Sequence, residues 1–483
     1  MKTRTFTRRG FLGSSLAAGS AMLAGGCSTY GGPAPRARTS GQPNFVVIFT
    51  DDQGYNDVGC FGAVDIRTPN LDRMAEEGMR FTDFYVSSPV CTPSRASLMT
   101  GCYAQRVGLA ETPNKKGTMD PPALVLFPYS TCGINSDEIT VAESLRNQGY
   151  ATACVGKWHL GHLPPFLPTR HGFDYYYGIP YSNDMVPSPL MRNEEVIEEP
   201  ANQDMLVERY TEEAVNFITA NQDRPFFLYL PHNMPHTPLH VSDRFRGKSA
   251  GGLYGDVIKS IDWSVGQVLR TLERLGLDEN TFVMFTSDNG PWLVKGEKGG
   301  FAAPLRMGKG HTYEGGMRVP CIMRWPGHIP AGRTCSEIAT TMDVLPTLTK
   351  LAGGEPPSDR VIDGKDIWPL MSGARGAKTP HEAFYYYWGR ELHAVRSGNW
   401  KLKFETTLRD EDVYRREFNR EDVKIPPALY NLRTDIGEQK NVIRGNPGVV
   451  KRLRALANKA REDLGDTLTG QAGKGVRPVG VAE

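Results

Sequence analysis

Four segments of the chain share one pattern, in which a short apolar run stops abruptly at polar side chains. They read NFVVIFTDDQG, YATACVGKWHLG, RPFFLYLPHNMPHTP and TFVMFTSDNG, and they begin at residues 44, 150, 224 and 281. Continuous apolar runs rich in β-branched and aromatic residues are typical of strands that are buried on both faces of a parallel sheet. The pattern therefore predicts four central strands, each followed directly by polar side chains.

Helical patterns separate these strands. Apolar residues recur with helical spacing in TPNLDRMAEEGMRF, TVAESLRNQGY and GDVIKSIDWSVGQVLRTLERLGL, the last of which reaches a candidate C-cap at Gly276. Strands that alternate with helices predict an α/β fold with a large, mostly parallel central sheet flanked by helices. Because ligands bind beyond the carboxyl ends of the strands in such sheets, we expect the four polar clusters to converge on one site.

The pattern changes near residue 380. EAFYYYWGRELHAVRSGNWKLKF predicts two or three antiparallel strands, ALYNLRTDIGEQKNVI predicts another, and NPGVVKRLRALANKAREDLG predicts an amphipathic helix. We therefore divide the chain into a main domain over residues 44–380 and a smaller C-terminal α+β subdomain with an antiparallel sheet over residues 381–483. The glycine-rich tail from Thr467 is expected to be frayed.

The N-terminal residues predict an export signal over residues 1–26. TRRGFLGSSLAAGSAMLAGGC joins a twin-arginine pair, Arg8 and Arg9, to a weakly apolar run that is too short to span a bilayer. Cys27 is a candidate lipid-attachment site, although Ala24 stands where a lipobox normally has leucine. Residues 27–43 form a linker rich in glycine, proline and serine. We expect an exported protein, either periplasmic or anchored to the membrane as a lipoprotein.

Charge and cysteine content narrow the range of partners. The chain has 56 basic and 54 acidic residues, and removal of residues 1–26 leaves 52 against 54. This balance gives no reason to expect nucleic acid as a partner, so any bound anion must be held by local cations. Apart from Cys27 and Cys91, six cysteines remain, which allow fifteen pairings. We predict no particular disulfide.

Carboxylates and amide oxygens follow two of the predicted strands. Asp51 and Asp52 end the first, and Asp288 and Asn289 end the fourth. Adjacent acids in a loop are usually only solvated, but two such pairs at equivalent strand ends indicate a cation site. Oxygen ligands without a thiolate or histidine cluster favour Ca²⁺ or Mg²⁺ over Zn²⁺.

Basic side chains follow the other two predicted strands, and two more lie in other segments of the chain. Together they suit a compact oxyanion. They are Arg95, Lys157, His159, His236 and Lys309. Cys91 lies in SSPVCTPSRASLMTG, where we expect a Thr-Pro-Ser-Arg turn just before a helix. A free cysteine is most often a small buried hydrophobe. As a thiolate nucleophile it would need a base such as His159 or His236.

The motifs as a set resemble those of one enzyme family. CTPSRASLMTG resembles the sulfatase signature, and it is joined in the family's order by TDDQG, GKWHLG, PHTP, SDNG and GKGHTYEGGMRVP, over residues 44–345. GFDYYYGIPYSNDM is similar to the corresponding stretch of arylsulfatase A and N-acetylgalactosamine-6-sulfatase relatives, and LYNLRTDIGEQKNV to the ending of these enzymes. The resemblance to type I, formylglycine-dependent sulfatases implies an alkaline-phosphatase-like sandwich whose catalytic domain covers residues 44–380.

The resemblance also implies a catalytic group and a metal. A dedicated maturation enzyme would oxidise Cys91 to Cα-formylglycine, whose hydrated form is a geminal diol. One diol hydroxyl attacks sulfur and the alcohol departs, after which the second loses its proton and expels sulfate. One Ca²⁺ ion would be bound by five residues, which are Asp51, Asp52, Cys91 in its modified form, Asp288 and Asn289.

Roles for the basic residues follow from the same resemblance. Arg95 would orient the diol. Sulfate oxygens would be held by Lys157, His236 and Lys309, and one of the last two would protonate the leaving alkoxide. His159 would be the base for the elimination of sulfate.

The substrate is less well defined by the sequence. Loops over residues 110–137 and 160–205 are expected at the rim of the site, and Ser182, Asn183 and Asp184 are candidate substrate contacts. A sulfated carbohydrate is the expected substrate, with aryl sulfates as artificial ones. Two alternatives are a phosphomonoesterase or phosphodiesterase on the same scaffold, and a sugar-binding lipoprotein without catalytic activity.

Overall fold

The computed structural model of the protein describes residues 41–407 and 424–482 of its 483. The predicted export signal and linker residues 27–40 lie outside the described residues. The end of the predicted linker is already part of the fold, because the Gln42 side chain donates to the carbonyls of Gln148 and Ala352, each at 3.2 Å.

Nine α-helices occur within the described ranges: α1 Pro69–Glu76, α2 Cys91–Thr100, α3 Val141–Asn147, α4 Leu206–Ala220, α5 Gly252–Arg274, α6 Glu314–Met317, α7 Val344–Leu351, α8 Trp368–Met371 and α9 Pro447–Leu464. Short 3-10 turns connect them: Gly59–Phe61, Pro164–Phe166, Pro168–Arg170, Gln203–Met205, Asp278–Asn280, Leu293–Lys298, Thr341–Asp343 and Ile443–Gly445. None of the helices found in these ranges is long and apolar enough to cross a bilayer.

The strands in the same ranges are β1 Asn44–Thr50, β2 Met79–Phe81, β3 Phe84–Tyr85, β4 Cys132–Gly133, β5 Ala151–Val155, β6 Tyr175–Gly178, β7 Leu190–Arg192, β8 Glu195–Glu198, β9 Phe226–Pro231, β10 Thr281–Ser287, β11 Cys321–Arg324, β12 Arg333–Cys335, β13 Ala339–Thr340, β14 Phe384–Trp388, β15 Glu391–Ser397, β16 Trp400–Lys403, β17 Thr406–Thr407, β18 Lys424–Ile425, β19 Ala428–Asn431 and β20 Gly480–Val481.

The main sheet has ten strands in the order β12-β2-β11-β10-β1-β9-β5-β6-β7-β8. Its centre, from β10 to β6, is parallel. Antiparallel strands flank that centre on both sides. The four strands predicted from the apolar runs are β1, β5, β9 and β10, and they are neighbours in this sheet. Their carboxyl ends therefore lie along one edge, as expected for a shared site.

Side chains along β1 point alternately to the two faces of the sheet, and both sets are buried. Phe45, Val47 and Phe49 belong to one hydrophobic cluster, which also contains apolar residues of α2, α3 and α7. Val46 and Ile48 belong to the other cluster, which is covered by α1, α4 and α5. Burial of each such side chain contributes roughly 1.5–3 kcal/mol, so helices on both faces are required to stabilise this strand.

The C-terminal region forms the predicted antiparallel sheet, in the order β14-β15-β16-β19. Helix α9 packs against β15 and β16. The expectation of a frayed tail is wrong, because β20 pairs with β4. Arg477 also donates from Nε to Glu138 Oε1 at 2.7 Å. Glycine there permits close backbone contacts rather than disorder: a Cβ added at Gly475 would lie 2.0 Å from an Asp463 oxygen.

A buried ionic network joins the C-terminal sheet to the segment that precedes β11. Lys401 Nζ on β16 lies 2.9 Å from carboxylate oxygens of both Glu314 and Glu438. Glu438 also accepts from the Glu314 backbone N–H at 2.7 Å, at the start of α6. All three side chains are fully buried, so loss of one partner would leave an unpaired buried charge.

An ion pair between His381 and Asp343 joins the segment before β14 to the start of α7. His381 Nε2 lies 2.8 Å from Asp343 Oδ1, and Asp343 also accepts from the backbone N–H groups of Thr340 and Lys365. Burial opposes the charge on His381, but Asp343 outweighs it and raises the pKa of the imidazole above its ordinary value. The resulting stability is fully present below the unfolded-state pKa near 6.5 and is lost as the pH rises through the higher folded-state pKa.

His381→Ala is expected to lower the free energy of unfolding by about 1.5–3 kcal/mol at pH 6, because a hydrogen bond between charged groups is lost. The loss is expected to be smaller at pH 9, because the imidazole loses its charge as the pH rises through its folded-state pKa. Urea unfolding at the two pH values measures both quantities. His240→Ala is the matched control, because its pair with Asp204 is much more exposed. A loss for His381→Ala that does not depend on pH would contradict the ion pair.

Candidate active site

The ends of β1 and β10 bring three carboxylates together. Asp51 donates its backbone N–H to the Met234 carbonyl at 3.2 Å, and the Asp52 N–H donates to Asp288 Oδ1 at 3.1 Å. Asp52 has φ 64°, which is uncommon for a residue other than glycine and is best tolerated by Asp and Asn. This conformation turns the chain sharply after the strand, so that consecutive carboxylates face the same pocket.

Asn289 completes the oxygen-rich end of the site. Its Nδ2 donates to Asp52 Oδ1 at 2.7 Å and to the Gly290 carbonyl at 2.9 Å. Its Oδ1 is buried and has no hydrogen-bond partner. A buried acceptor without a donor is costly unless something else binds it. This oxygen is therefore available to a cation.

Cys91 is the first residue of α2 rather than part of a turn before it. The expected turn is wrong because Pro93 falls in the first helical turn, where its missing N–H breaks no intrahelical bond. Cys91 is 2% exposed, and its Sγ lies 3.4 Å from Asp51 Oδ1. Burial and the Asp51 carboxylate raise the pKa of the thiol well above its ordinary value, so it stays protonated.

Arg95 lies one helical turn beyond Cys91 and is completely buried. Its Nε and Nη2 donate to Asp288 Oδ2 at 3.1 and 2.8 Å, and its Nη1 donates to the Lys157 carbonyl at 3.0 Å. Arg95 thus links helix α2 to the ends of β5 and β10. The position of its guanidinium is fixed by three hydrogen bonds.

Two lysines pair with the carboxylates of β1. Lys157 Nζ donates to Asp51 Oδ2 at 2.6 Å, and Lys309 Nζ donates to Asp52 Oδ2 at 2.8 Å. The Lys309 backbone is fixed at the site, because its N–H donates to the Pro291 carbonyl at 2.9 Å. Burial opposes the charge of Lys309, but Asp52 outweighs it and raises the pKa of this ammonium.

Hydrogen bonds define the tautomer of His236. The Asn183 amide Nδ2 donates to the Pro238 carbonyl at 3.1 Å, so its Oδ1 faces His236 Nδ1, also at 3.1 Å. Nδ1 therefore carries a proton, and Nε2, which lies 3.6 Å from Asp52 Oδ2, carries the lone pair when the ring is neutral. Burial and Lys309 lower the pKa of His236 well below its ordinary value.

His159 has the opposite tautomer. Its Nε2 lies 2.8 Å from the Leu126 carbonyl, which can only accept, so Nε2 carries the proton. Its Nδ1 is buried and without a hydrogen-bond partner. Burial and Lys157 lower the pKa of His159 well below its ordinary value. The ring is therefore neutral, with a lone pair at Nδ1 that can accept a proton.

The donor set fits a hard divalent cation. One donor atom from each of Asp51, Asp52, Cys91 and Asp288 lies within 4.8 Å of the others, and the Asn289 oxygen has no partner. Burial and Asp51 raise the pKa of Asp288 to about 7, which reflects the repulsion among crowded carboxylates. Oxygen donors of this kind suit Ca²⁺ or Mg²⁺.

When its three carboxylates are ionised, the charges of the pocket balance. Three carboxylates, Asp51, Asp52 and Asp288, are paired with three cations, Arg95, Lys157 and Lys309. A divalent cation in this pocket would leave it positively charged. Such a pocket attracts an anionic ester.

Comparisons with known proteins agree with this geometry. The sequence model of the sulfatase family matches residues 43–354, and that of the C-terminal region of aryl-sulfatase matches residues 379–477. The chain belongs to the sulfatase family. The enzyme is therefore a sulfuric ester hydrolase, and its ten-stranded sheet has the alkaline-phosphatase-like fold expected from the sequence.

Individual relatives extend over most of this sulfatase. N-acetylgalactosamine-6-sulfatase of Canis lupus familiaris is 41% identical over 452 residues, which cover 86% of this chain and 84% of the relative. Human arylsulfatase A is 38% identical, with 86% and 87% of the two chains covered. The crystal structure of Ps i-CgsB in complex with k-i-k-neocarrahexaose has a TM-score of 0.72 at 30% identity, covering 86% of this chain and 92% of that one.

The three predicted substrate contacts of the sulfatase have different surroundings. Ser182 Oγ accepts from Lys157 Nζ at 3.3 Å, and Asn183 contacts His236. Asp184 is exposed. Ser182 and Asn183 are thus placed to support Lys157 and His236. Tyr175, at the start of β6, is buried and donates its hydroxyl to Glu213 at 2.6 Å.

One side chain at the site is missing from the sequence-based prediction. The Trp292 ring centroid lies 5.3 Å from that of His236 and 4.3 Å from Lys309 Nζ. The only signal in the sequence is its position two residues after the SDNG motif. The Leu126 carbonyl was also missed, since a backbone group leaves no mark in the amino-acid sequence.

Asn183→Ala is expected to lower kcat/KM for 4-nitrophenyl sulfate by about 10- to 100-fold, because the His236 ring loses the acceptor that orients it. Asp184→Ala, the matched control next in the chain, is expected to stay within about twofold, as surface positions usually do. Initial rates of both variants, with folding checked by thermal unfolding, make the comparison. Equal losses at the two positions would contradict the positioning of His236 by Asn183.

Proposed function

We propose that this sulfatase removes sulfate from a carbohydrate, with a formylglycine derived from Cys91 as its nucleophile and one Ca²⁺ ion at the carboxylate cluster. The observation that carries the proposal is the position of Cys91 Sγ, 3.4 Å from Asp51 Oδ1 inside the buried cluster of acids. The ligands we assign are the acidic and amide side chains of the two strand ends and the modified side chain at residue 91, namely Asp51, Asp52, Cys91, Asp288 and Asn289.

An unmodified thiol is poorly suited to this position. Its neighbour is a carboxylate, which disfavours the thiolate, and Sγ hydrogen-bonds to Asp51 rather than to His159 or His236. A hard cation also gains little from a soft sulfur ligand. In hydrated form, formylglycine supplies one hydroxyl for attack on sulfur and a second through which sulfate is expelled and the aldehyde is restored. Bound Ca²⁺ supplies positive charge beside the sulfate.

The cations of the chain stabilise the charge that develops on the sulfate group. Arg95 is fixed by Asp288 and the Lys157 carbonyl, so it orients the side chain at residue 91 from the next helical turn. Lys157 and Lys309 hold the sulfate oxygens. Because all three are already positioned by hydrogen bonds, little reorganisation is needed during the reaction.

The tautomers of His159 and His236 indicate which proton transfer each ring performs. His159 has its lone pair at Nδ1, so it acts as the base for the second hydroxyl of the hydrated aldehyde. His236 Nε2 can donate a proton only as an imidazolium, whereas Lys309 carries protons in its ordinary charged form. We therefore assign protonation of the leaving alkoxide to the Lys309–His236 pair, with Lys309 as the donor next to the substrate.

Carbohydrate as the substrate class is supported by the relatives. One is named for a sulfated N-acetylgalactosamine, and another was crystallised with k-i-k-neocarrahexaose. The twin-arginine pair and Cys27 support an exported enzyme, either periplasmic or anchored by a lipid. A phosphoesterase on the same scaffold would use serine or threonine with two zinc ions, which neither Cys91 nor the amide of Asn289 favours.

Cys91 can be tested directly. Mass spectrometry of the peptide that contains residue 91 is expected to show an aldehyde in place of the thiol in active enzyme. Cys91→Ser should release at most one equivalent of alcohol and then stall with a sulfated serine, because serine lacks the second oxygen. Cys91→Ala controls for background turnover. Repeated turnover by Cys91→Ser, or an intact thiol in active enzyme, would contradict the proposed nucleophile.

Metal removal tests the ion independently of catalysis. Dialysis against EDTA should lower the thermal unfolding midpoint, and Ca²⁺ at about 100 times its Kd should restore roughly 2.7 kcal/mol of stability. Asn289→Ala should require more Ca²⁺ for the same recovery, whereas Asn193→Ala, on the outer β7–β8 connection, should not. The titration is followed by calorimetry in Ca²⁺ and in Mg²⁺. A midpoint unaffected by both ions in EDTA-treated enzyme would contradict the cation site.

A further inference from the structure

Trp292 borders the pocket beside the residues assigned to the leaving group. Its ring centroid lies 5.3 Å from the His236 ring and 4.3 Å from Lys309 Nζ, and the side chain is partly exposed. The Pro291 carbonyl, one residue earlier, accepts the Lys309 N–H at 2.9 Å. The indole is thus held at the opening of the pocket, next to the position from which the alcohol departs.

Lys295 lies over the same indole. Its Nζ is 4.1 Å from the Trp292 ring centroid, and the side chain is exposed. The backbone keeps it there, because the Lys295 N–H donates to the Trp292 carbonyl at 2.9 Å within the Leu293–Lys298 turn. Within the described residues, no carboxylate lies at ion-pair distance from Lys295. Its charge is therefore available to a ligand.

The distance between the ammonium groups of Lys295 and Lys309 indicates how far apart two negative charges of that ligand can lie. Because both ammonium groups lie over one ring, their separation is at most the sum of their distances to its centroid, roughly 8 Å. Two substituents of one sugar ring span a distance of this order. A substrate with its scissile sulfate at Lys309 can therefore present a second substituent to Lys295.

We propose that Trp292 and Lys295 form a leaving-group subsite that selects substrates carrying a second anionic group beside the sulfate that is hydrolysed. This inference rests on the proposed function, and it narrows the substrate class to esters with two neighbouring negative charges, such as a disulfated sugar or a sulfated uronic acid. Trp292 holds both ammonium groups beside the leaving group through cation–π contacts. Lys295 provides the positive charge that binds the second anionic substituent of the leaving group.

The rest of the turn contributes differently. Lys298 is also exposed and follows three residues later, but it does not lie over the indole as Lys295 does. Glu297 lies between them and would repel an anion placed at the far end of the turn. We therefore assign the selectivity to Lys295, and Lys298 becomes the matched control.

The test compares phenyl sulfate, which has one charge, with catechol disulfate, which has a neighbouring second one. The ratio of their kcat/KM values cancels differences in folding and in the fraction of matured enzyme. We expect the ratio to fall about 5-fold in Lys295→Ala, mostly through KM, as for loss of an exposed ion pair of about 1 kcal/mol. Lys298→Ala should keep the wild-type ratio. Added salt should lower the ratio more in the wild type than in Lys295→Ala.

Trp292 is tested in the same assay. Trp292→Ala should raise KM for both esters, because Lys309 and Lys295 lose the ring that holds them, and Trp292→Phe should recover most of the loss because it keeps an aromatic ring there. Trp263→Ala is the control, since Trp263 is another partly exposed indole, with Arg244 over its ring at 4.3 Å, on helix α5. Equal ratios in the wild type and Lys295→Ala would overturn the inference while leaving the proposed function intact. Absence of turnover of both esters by matured wild-type enzyme would overturn the two together.

Discussion

The structure of the active site depends on one electrostatic constraint, the packing of three carboxylates inside a buried pocket. Asp51, Asp52 and Asp288 repel one another there, and burial adds to the cost of their charges. Arg95, Lys157 and Lys309 offset that cost. Each of these cations comes from a different element, so the charge balance requires helix α2, the end of β5 and the segment before α6 to meet at one point. The parallel centre of the sheet satisfies this requirement by placing the carboxyl ends of its strands along one edge.

Much of this arrangement could be predicted from the sequence. The runs of β1, β5, β9 and β10 contain no charged residue and consist mostly of apolar, aromatic and β-branched residues, as strands covered on both faces require, and the residues after them had to share an edge. Other features depended on contacts that a pattern does not contain. Pro93 suggested a turn before a helix, yet proline is compatible with the first helical turn that Cys91 begins. The glycines after Thr467 suggested fraying, although several serve close packing against the rest of the fold.

The histidines show a different limit. Sequence identified His159 and His236 as candidates but gave no information on which ring nitrogen carries the proton. That choice is made by the Leu126 carbonyl and by the Asn183 amide, which are distant in sequence from the rings they orient. The C-terminal sheet has a comparable role at longer range. Through Lys401 and Glu438 it holds Glu314, at the end of the segment that carries Lys309. The second region of the chain therefore supports the segment of the first that carries Lys309.

The burial of helix α2 affects the order in which the chain can fold and be modified. All ten of its residues are buried, and the side chain at position 91 is covered once α2 is packed between the sheet and α7. A second protein therefore cannot bind that stretch in the folded protein. If residue 91 is converted as proposed, the modifying enzyme must act while the chain is still unfolded, and a chain that folds first would keep its thiol and remain inactive. The yield of active enzyme would then depend on the relative rates of folding and conversion, which the host and the growth temperature can shift without any change in sequence.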